Sequence, residues 1–241
     1  MENALYISLS RQTALRRELA VVANNVANVN TASFKRELSI YETYPQKVKG
    51  GDTLAFVIDR GTATSYAPGP IQATDSAFDL AIAGPGFFAV DNGKGTHYTR
   101  NGSFRLDHEN RLVTQDNNPV LDASGKPIVA PVGTIKIDVH SDGSIKVDGE
   151  IIGVLQLVEF QNVQVLERRG NSLYETDQPP LPAENSQILQ GAVEGSNVQA
   201  VKELVRLIDI QRAYDGVKLL MDKEAERQKT SIQRLSRAPT G

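Results

Sequence analysis

Leu5, Leu9, Leu15, Leu19, Val22, Val26 and Val29 recur at mostly three- and four-residue steps along the first stretch of the chain. That spacing lays apolar side chains along one stripe of an α-helix. No Pro or Gly interrupts Asn3 to Val29, so one helix is predicted there, about 40 Å long at about 1.5 Å rise per residue. A helix of that length with a narrow stripe has no globular core of its own and needs a partner helix. The tail reads the same way from Asn197 to Leu235, with only Gly216 inside it. Val201, Leu204, Val205, Ile208 and Leu219 mark one face; Leu207, Ile210, Tyr214, Val217 and Met221 mark another. Two apolar stripes on one helix imply more than one neighbour. Arg227 to Gly241 is polar and basic and is expected to fray.

Between Leu54 and Thr176 the period changes. Short apolar runs, Phe78 to Ala83, Phe87 to Val90, Thr134 to Val139 and Gly153 to Phe160, lie among the turn pairs Asn92-Gly93, Asn101-Gly102, Ser124-Gly125 and Asp142-Gly143. Runs of this length with such punctuation predict hairpins in an all-β region. Ile135 to Val139 alternates apolar and polar, which places one face in a core and the other in water. Pro45 to Asp52 and the triple-proline stretch Thr176 to Asn185 read as connectors.

The fold class that follows is mainly β with α: a central all-β domain flanked by long N- and C-terminal helices that pair as a coiled coil. The expected divisions are an N-terminal helical segment 1–45, a linker with first strands 46–75, a β domain 76–176, a Pro-rich return 177–195 and a C-terminal helix 196–241. The two ends must meet to bury their stripes, and each is expected to be partly disordered until it does. Stacking copies head to tail gives an open filament when the rotation does not close.

Composition narrows the function classes. The net charge is −3, from 26 basic and 29 acidic side chains, so nucleic acid and anionic membrane are not expected partners. There is no cysteine, which removes disulfides, thiolate metal sites and cysteine nucleophiles. The opening residues lack a basic start followed by an apolar run, so no cleaved secretory signal is expected, and no stretch approaches a membrane span.

Against this plan, Ala23-Asn24-Asn25-Val26-Ala27-Asn28-Val29-Asn30-Thr31-Ala32-Ser33-Phe34-Lys35 resembles the N-terminal motif of the flagellar rod and hook proteins. Ala32-Ser33 stands where that motif often has Thr-Gly. Asp79 to Val90 resembles the family's DLAIxGxGFFxV strand pair, and Tyr98-Thr99-Arg100-Asn101-Gly102-Ser103-Phe104 its YTRxGxF. Gly191 to Val198 is similar to QGxLExSNV and leads into Gln211-Arg212-Ala213-Tyr214, the family's QRAY. The opening Met1 to Ile7 is more similar to the proximal than to the distal rod branch.

The resemblance implies a structural, non-enzymatic rod subunit that polymerises through paired terminal helices into a torque-transmitting shaft. It also implies export by the flagellar type III apparatus without a cleaved signal peptide, a periplasmic position in the basal body, and partners among other rod proteins and copies of itself. No small-molecule substrate, cofactor, metal or membrane insertion is expected. The expected assembly interface comprises Leu5, Leu9, Leu19, Val22, Asn24, Asn25, Val26, Asn28, Asn30 and Phe34. From the tail it takes Asn197, Val201, Leu204, Val205, Ile208, Gln211, Arg212 and Tyr214. The alternatives are a distal rod protein and a secreted binding module with coiled-coil ends.

Candidate chemistry elsewhere is thin. His97, His108 and His140 lie near turns, with no i, i+4 pair, and read as surface histidines. Gly84-Pro85-Gly86 lacks the strand–loop–helix context of a phosphate loop and reads as a tight turn. Ser103 and Ser172 have no nucleophile setting, and the basic tail is interleaved with Glu224 and Glu226.

Overall fold

The computed structural model describes residues 2–47, 53–134 and 136–236. The described chain divides into two compact units. One holds both long helices and a β-hairpin, from the segments Met1–Ala27, Glu37–Ser65 and Gln199–Gly241; the other holds Asn28–Arg36 and Tyr66–Val198.

In the helical unit, α1 (Glu2–Ala27) and α2 (Ala200–Ser236) pack antiparallel, Glu18 meeting Arg206 and Leu5 lying near Leu220 and Met221. Leu15, Val22 and Ile210 form the buried seam, and Leu19, Val26, Leu207, Ala213, Tyr214 and Val217 pack against it. β1 (Glu37–Lys47) and β2 (Thr53–Thr64) form an antiparallel hairpin, in register from Glu37↔Thr64 to Lys47↔Thr53 with a bulge at Ile40/Tyr41. Tyr41 Oη donates to the Ala14 carbonyl at 3.0 Å, and Arg17 pairs with Asp59 at 2.7 Å, so the hairpin leans on α1.

This hairpin differs from the connector expected over Pro45 to Asp52. Pro45, Gln46 and Lys47 are strand residues, while Gly50-Gly51 lies outside the described residues. Pro45 is tolerated because a two-stranded ribbon has only edge strands. The expected fraying after Arg227 also needs correction: α2 continues to Ser236. Arg227 pairs with Glu224 one turn back, a local ion pair of the kind that supports an exposed helix. Residues 237–241 lie outside the described residues.

The second unit is β apart from one short 3₁₀ helix, Val163–Val165. Its main sheet has six strands, with β5 (Phe87–Asp91) and β6 (Thr96–Thr99) at the centre. Smaller antiparallel pairs flank it: β3 (Ile71–Ala73) with Ala192–Glu194, and β4 (Leu80–Ala83) with Gln187–Gln190. β5 is buried on both faces. Phe88 and Val90 join one apolar cluster with Leu80, Ile82 and Phe104, and Phe87 and Ala89 join a second with Tyr98, Phe160 and Tyr174. A strand covered on both faces reads as a continuous apolar run, which is what Phe87-Phe88-Ala89-Val90 is. Ile137 and Val139 are buried and Lys136 and Asp138 exposed, the expected alternation, although only Asp138–Val139 pairs as a strand and Ile135 lies outside the described residues.

Candidate assembly interface

The outgoing end of α1 and the first turn of α2 meet over a buried asparagine. Asn25 is fully buried; its Oδ1 accepts from the Glu37 amide at 2.9 Å and its Nδ2 donates to the Glu37 carbonyl at 2.8 Å. The side chain therefore imitates a strand neighbour and fixes where β1 begins. Asn25 Nδ2 also lies 3.4 Å from Glu203, a buried carboxylate in the first turn of α2 that complements the positive end of that helix. Beyond it, Arg206 donates to Glu18 across the seam at 2.7 Å.

The expected interface residues divide sharply on α2. Tyr214 is half-buried in the seam. Val201, Leu204, Val205 and Ile208 are 75%, 47%, 54% and 49% exposed, facing away from α1, and Gln211 and Arg212 are exposed beside them. On α1, Val22 is buried, Leu5, Leu19 and Val26 are half-buried, and Asn24 is exposed. Leu9 leaves the stripe: it is 47% exposed and lies with Tyr6 beside the Phe56 and Val57 side chains of β2.

The remaining expected residues belong to the β unit. Asn28 to Asn30 form a turn closed by the Thr31 amide donating to the Asn28 carbonyl, and Asn30 is exposed. Phe34 is buried, with the Arg168 guanidinium 4.7 Å from its ring centre. Asn197 Oδ1 accepts from the Arg36 amide at 2.7 Å, and its Nδ2 donates to the Ala67 carbonyl at 2.8 Å. Asn197 therefore ties the outgoing segment 28–36 to the returning chain.

That tie sits beside an ion cluster that sequence reasoning missed. Glu194, almost wholly buried, accepts from Lys35 Nζ at 2.6 Å, from Arg100 Nε at 2.7 Å and from the Gly69 amide at 2.8 Å. Lys35 also donates to the Ala67 carbonyl, and Arg100 to the carbonyls of Gly84 and Gly86. Gly84 has φ of 129° and room for no side chain: a Cβ would stand 2.4 Å from the Asn185 carbonyl. Burial alone would raise the Glu194 carboxyl, but Arg100, Lys35 and the Gly69 amide outweigh it and hold it below the usual range. Burial pulls the Lys35 ammonium down despite the carboxylate beside it. One charged residue from each of three motif strings, Lys35, Arg100 and Glu194, thus meets the others; the sequence signal was there in those strings, but charges far apart in sequence give no spacing to read.

Ser33 Oγ donates to the Arg100 carbonyl at 2.7 Å, and the Ser33 amide to the Glu194 carbonyl at 2.7 Å. These contacts make the cluster a clasp on the chain crossing. Gly84-Pro85-Gly86 is the turn between β4 and β5, its carbonyls taken by Arg100. His108 and His140 are exposed, but His97 is buried, contrary to expectation. Its ring nitrogens engage Asn92 at 3.1 Å and the Gly95 carbonyl at 3.0 Å, bracing the β5–β6 turn. Among the described residues there is no group of three or more His, Cys, Asp or Glu able to hold a metal, and no helix long and apolar enough to cross a membrane.

Three family models match the chain in order. They are the flagella basal body rod protein over residues 5–35, the flagellar hook protein FlgE/F/G D1 domain over 81–147, and the flagellar basal body rod FlgEFG protein C-terminal over 189–234. Among curated relatives, the flagellar basal-body rod protein FlgF of Caulobacter vibrioides is 41% identical, covering 98% of this chain and 99% of its own length. FlgF of Mesorhizobium japonicum is 34% identical over 98% of each chain. FlgG of Bacillus subtilis is 31% identical, covering 90% of this chain and 92% of its own length.

Proposed function

The chain belongs to the flagellar basal-body rod protein family, and from that premise we propose that it is a FlgF-like proximal-rod subunit joined to its neighbours through a coiled coil of its terminal helices. It is a structural subunit of the flagellar basal-body rod. The near end-to-end match at 41% identity favours the FlgF side over the FlgG side. The reading extends to other rod proteins as partners, to export through the flagellar type III apparatus with the N-terminus retained, and to a periplasmic position, as the motifs of the terminal segments imply.

The observation that carries the mechanism is the division of α2. One face is spent on α1, in the seam of Leu15, Val22 and Ile210; the other leaves Val201, Leu204, Val205 and Ile208 in water. Covering four half-exposed aliphatic side chains supplies about 1 kcal/mol each, before the entropy of association. A subunit with an exposed stripe of this kind is stabilised by assembly. The rod role is mechanical, and the residues that perform it are the interface side chains and the clasp that keeps the β unit rigid.

Leu204→Asp tests the mechanism. A carboxylate there would be desolvated in a packed neighbour contact. In the free chain, where Leu204 is exposed, it costs little. The expected result is a full-length protein with an intact β unit, absent from isolated basal bodies, in cells that do not swim. Normal motility with the variant incorporated would overturn the mechanism.

A further inference from the structure

The turn that His97 braces has a chemistry of its own, which does not depend on the rod reading. β5 and β6 are joined by Asn92-Gly93-Lys94-Gly95, a loop closed by the Asp91↔Thr96 pair. Gly93 and Lys94 are exposed, and Gly93 has φ of 80°. Glycine takes that left-handed backbone without strain. With no Cβ on Gly93, its amide nitrogen is also uncrowded on the side of the asparagine before it. We propose that Asn92-Gly93 is a self-modification site, at which the Gly93 amide nitrogen attacks the Asn92 side chain and the resulting succinimide opens to aspartate or isoaspartate.

Three contacts prepare that reaction. Asn92 Oδ1 accepts from the Lys94 amide at 2.9 Å. The bond folds the side chain back along the Gly93 peptide, and it sets a donor where negative charge develops on Oδ1 during attack. The Gly93 amide, the nucleophile, donates to Asp91 Oδ1 at 2.8 Å. A carboxylate on the proton that must leave is a general base in position. Asn92 Nδ2, the leaving group, lies 3.1 Å from His97 Nε2, and His97 Nδ1 lies 3.0 Å from the Gly95 carbonyl. That carbonyl can only accept, so Nδ1 carries the proton and Nε2 of the neutral ring accepts from the Asn92 amide. His97 is thus a positioning residue: it fixes which end of the amide meets Lys94.

The atoms balance with water as the one co-reactant. Gly93 N forms a bond to Asn92 Cγ with its own electron pair, and its proton passes to Asp91. The Cγ–Nδ2 bond breaks with its electron pair staying on nitrogen, which takes up that proton through water and departs as ammonia. Water then adds to a ring carbonyl. Opening at Cγ gives aspartate; opening at the main-chain carbonyl carbon leaves the chain running through Cβ, as isoaspartate. The turn gains a negative charge beside His97, and the isoaspartyl form gains a backbone atom.

The chain carries an internal comparison in Asn101-Gly102. Asn101 Oδ1 likewise accepts from the amide two residues on, that of Ser103, at 3.1 Å. Gly102, however, is buried, its carbonyl accepts from the Leu80 amide at 2.9 Å, and a Cβ there would stand 1.7 Å from the Leu80 carbonyl. The backbone crossing clamps that peptide, which has no room to move as a ring closes.

Ageing of the full-length chain at neutral pH, folded and in guanidinium chloride, tests the site. Lys94 and Arg100 lie between the two pairs, so trypsin places them on separate peptides, whose aspartate and isoaspartate content is read by mass spectrometry. In the folded chain Asn92 should convert at least as fast as in denaturant while Asn101 stays an amide; in denaturant both should convert at similar rates. Asp91→Asn keeps an oxygen to accept from the Gly93 amide but removes the base, and should slow the folded reaction about tenfold or more. His97→Leu should slow it too, and His97→Gln, whose side-chain oxygen can accept the same bond, should recover it.

Asn92 reacting more slowly folded than denatured would overturn the site, because the fold would then protect the pair. Equal conversion of Asn92 and Asn101 in the folded chain would also overturn it, marking the lability of the dipeptide alone. So would Asp91→Asn and His97→Leu chains that react as fast as the wild type. None of these results bears on the rod role.

Discussion

Ser33 has φ of 56°, in the left-handed region that costs a side-chain-bearing residue about 1 kcal/mol, yet it is almost wholly buried. Two bonds hold it there, its amide to the Glu194 carbonyl and its hydroxyl to the Arg100 carbonyl. Related motifs that place Gly at this position avoid the backbone strain and forgo the hydroxyl bond. Ser33→Gly should therefore change stability by less than about 1 kcal/mol, while Ser33→Ala keeps the strain, loses the bond and costs about 1–2 kcal/mol. Urea midpoints of the two variants distinguish these outcomes, and equal losses would contradict the account. The neighbouring ion cluster has two cations on one carboxylate, which makes its members unequal. Lys35→Met leaves the Arg100–Glu194 pair intact and should cost about 1–2 kcal/mol, whereas Glu194→Gln strands two buried cations and should cost about 3–5 kcal/mol. Because the folded carboxyl lies below the usual 4.5, its contribution is fully present above that pH and is lost as pH falls through the folded value. The wild-type chain should lose stability from about pH 4.5 downward, and Glu194→Gln should flatten that limb. An unchanged acid limb in the variant would assign it to other carboxylates.

At the scale of elements, periodicity made both helices legible because an apolar stripe at three- and four-residue steps has few other structural readings. The same spacing separated the two faces of α2 before either had a partner, and Ile210, Tyr214 and Val217 do meet α1. Leu9 was misplaced on the seam because spacing alone gives a stripe of some width; the hairpin that gathers Leu9 into a groove is a tertiary contact with no local signal. The hairpin itself was partly hidden for a related reason. Its strands have no buried position, half-exposed and exposed ones following one another without a steady period, and a bulge at Ile40/Tyr41, so strict alternation is lost. In the β unit, Asn92-Gly93, Ser124-Gly125 and Asp142-Gly143 are turns with glycine at positive φ, as the pairs suggested. Asn101-Gly102 has another cause: a Cβ on Gly102 would stand 1.7 Å from the Leu80 carbonyl, so the glycine permits a close crossing of two backbones. A dipeptide cannot say which of these it serves. The clasp was illegible for the most basic reason, since Lys35, Arg100 and Glu194 are brought together only by the fold.

For the whole molecule, the two units differ in how much each buries within itself. The β unit holds two apolar clusters, the larger built on Leu80, Phe88, Val90, Leu112 and Ile145, and adds the buried clasp. The helical unit, among the described residues, has one apolar cluster, with Leu15, Val22 and Ile210 as its buried members. Local opening free energies follow such differences in buried contacts. Amide exchange in dilute solution should therefore be slowest in β4, β5 and β6 and faster by at least two orders of magnitude through Leu5–Val22 and Leu207–Leu220, whose helices open without unfolding the β unit. The difference has a functional sense. Under the proposed assembly, a helix pair that is only marginally held in the free chain would adjust its seam as it enters the rod, and the four aliphatic side chains exposed on α2 would become part of a larger core. Exchange through both helices should accordingly slow to the rate of the β unit once the chain is incorporated in basal bodies. Equally slow exchange of helices and strands in the free chain would mean that the seam is self-sufficient, and that assembly adds contacts without completing the fold.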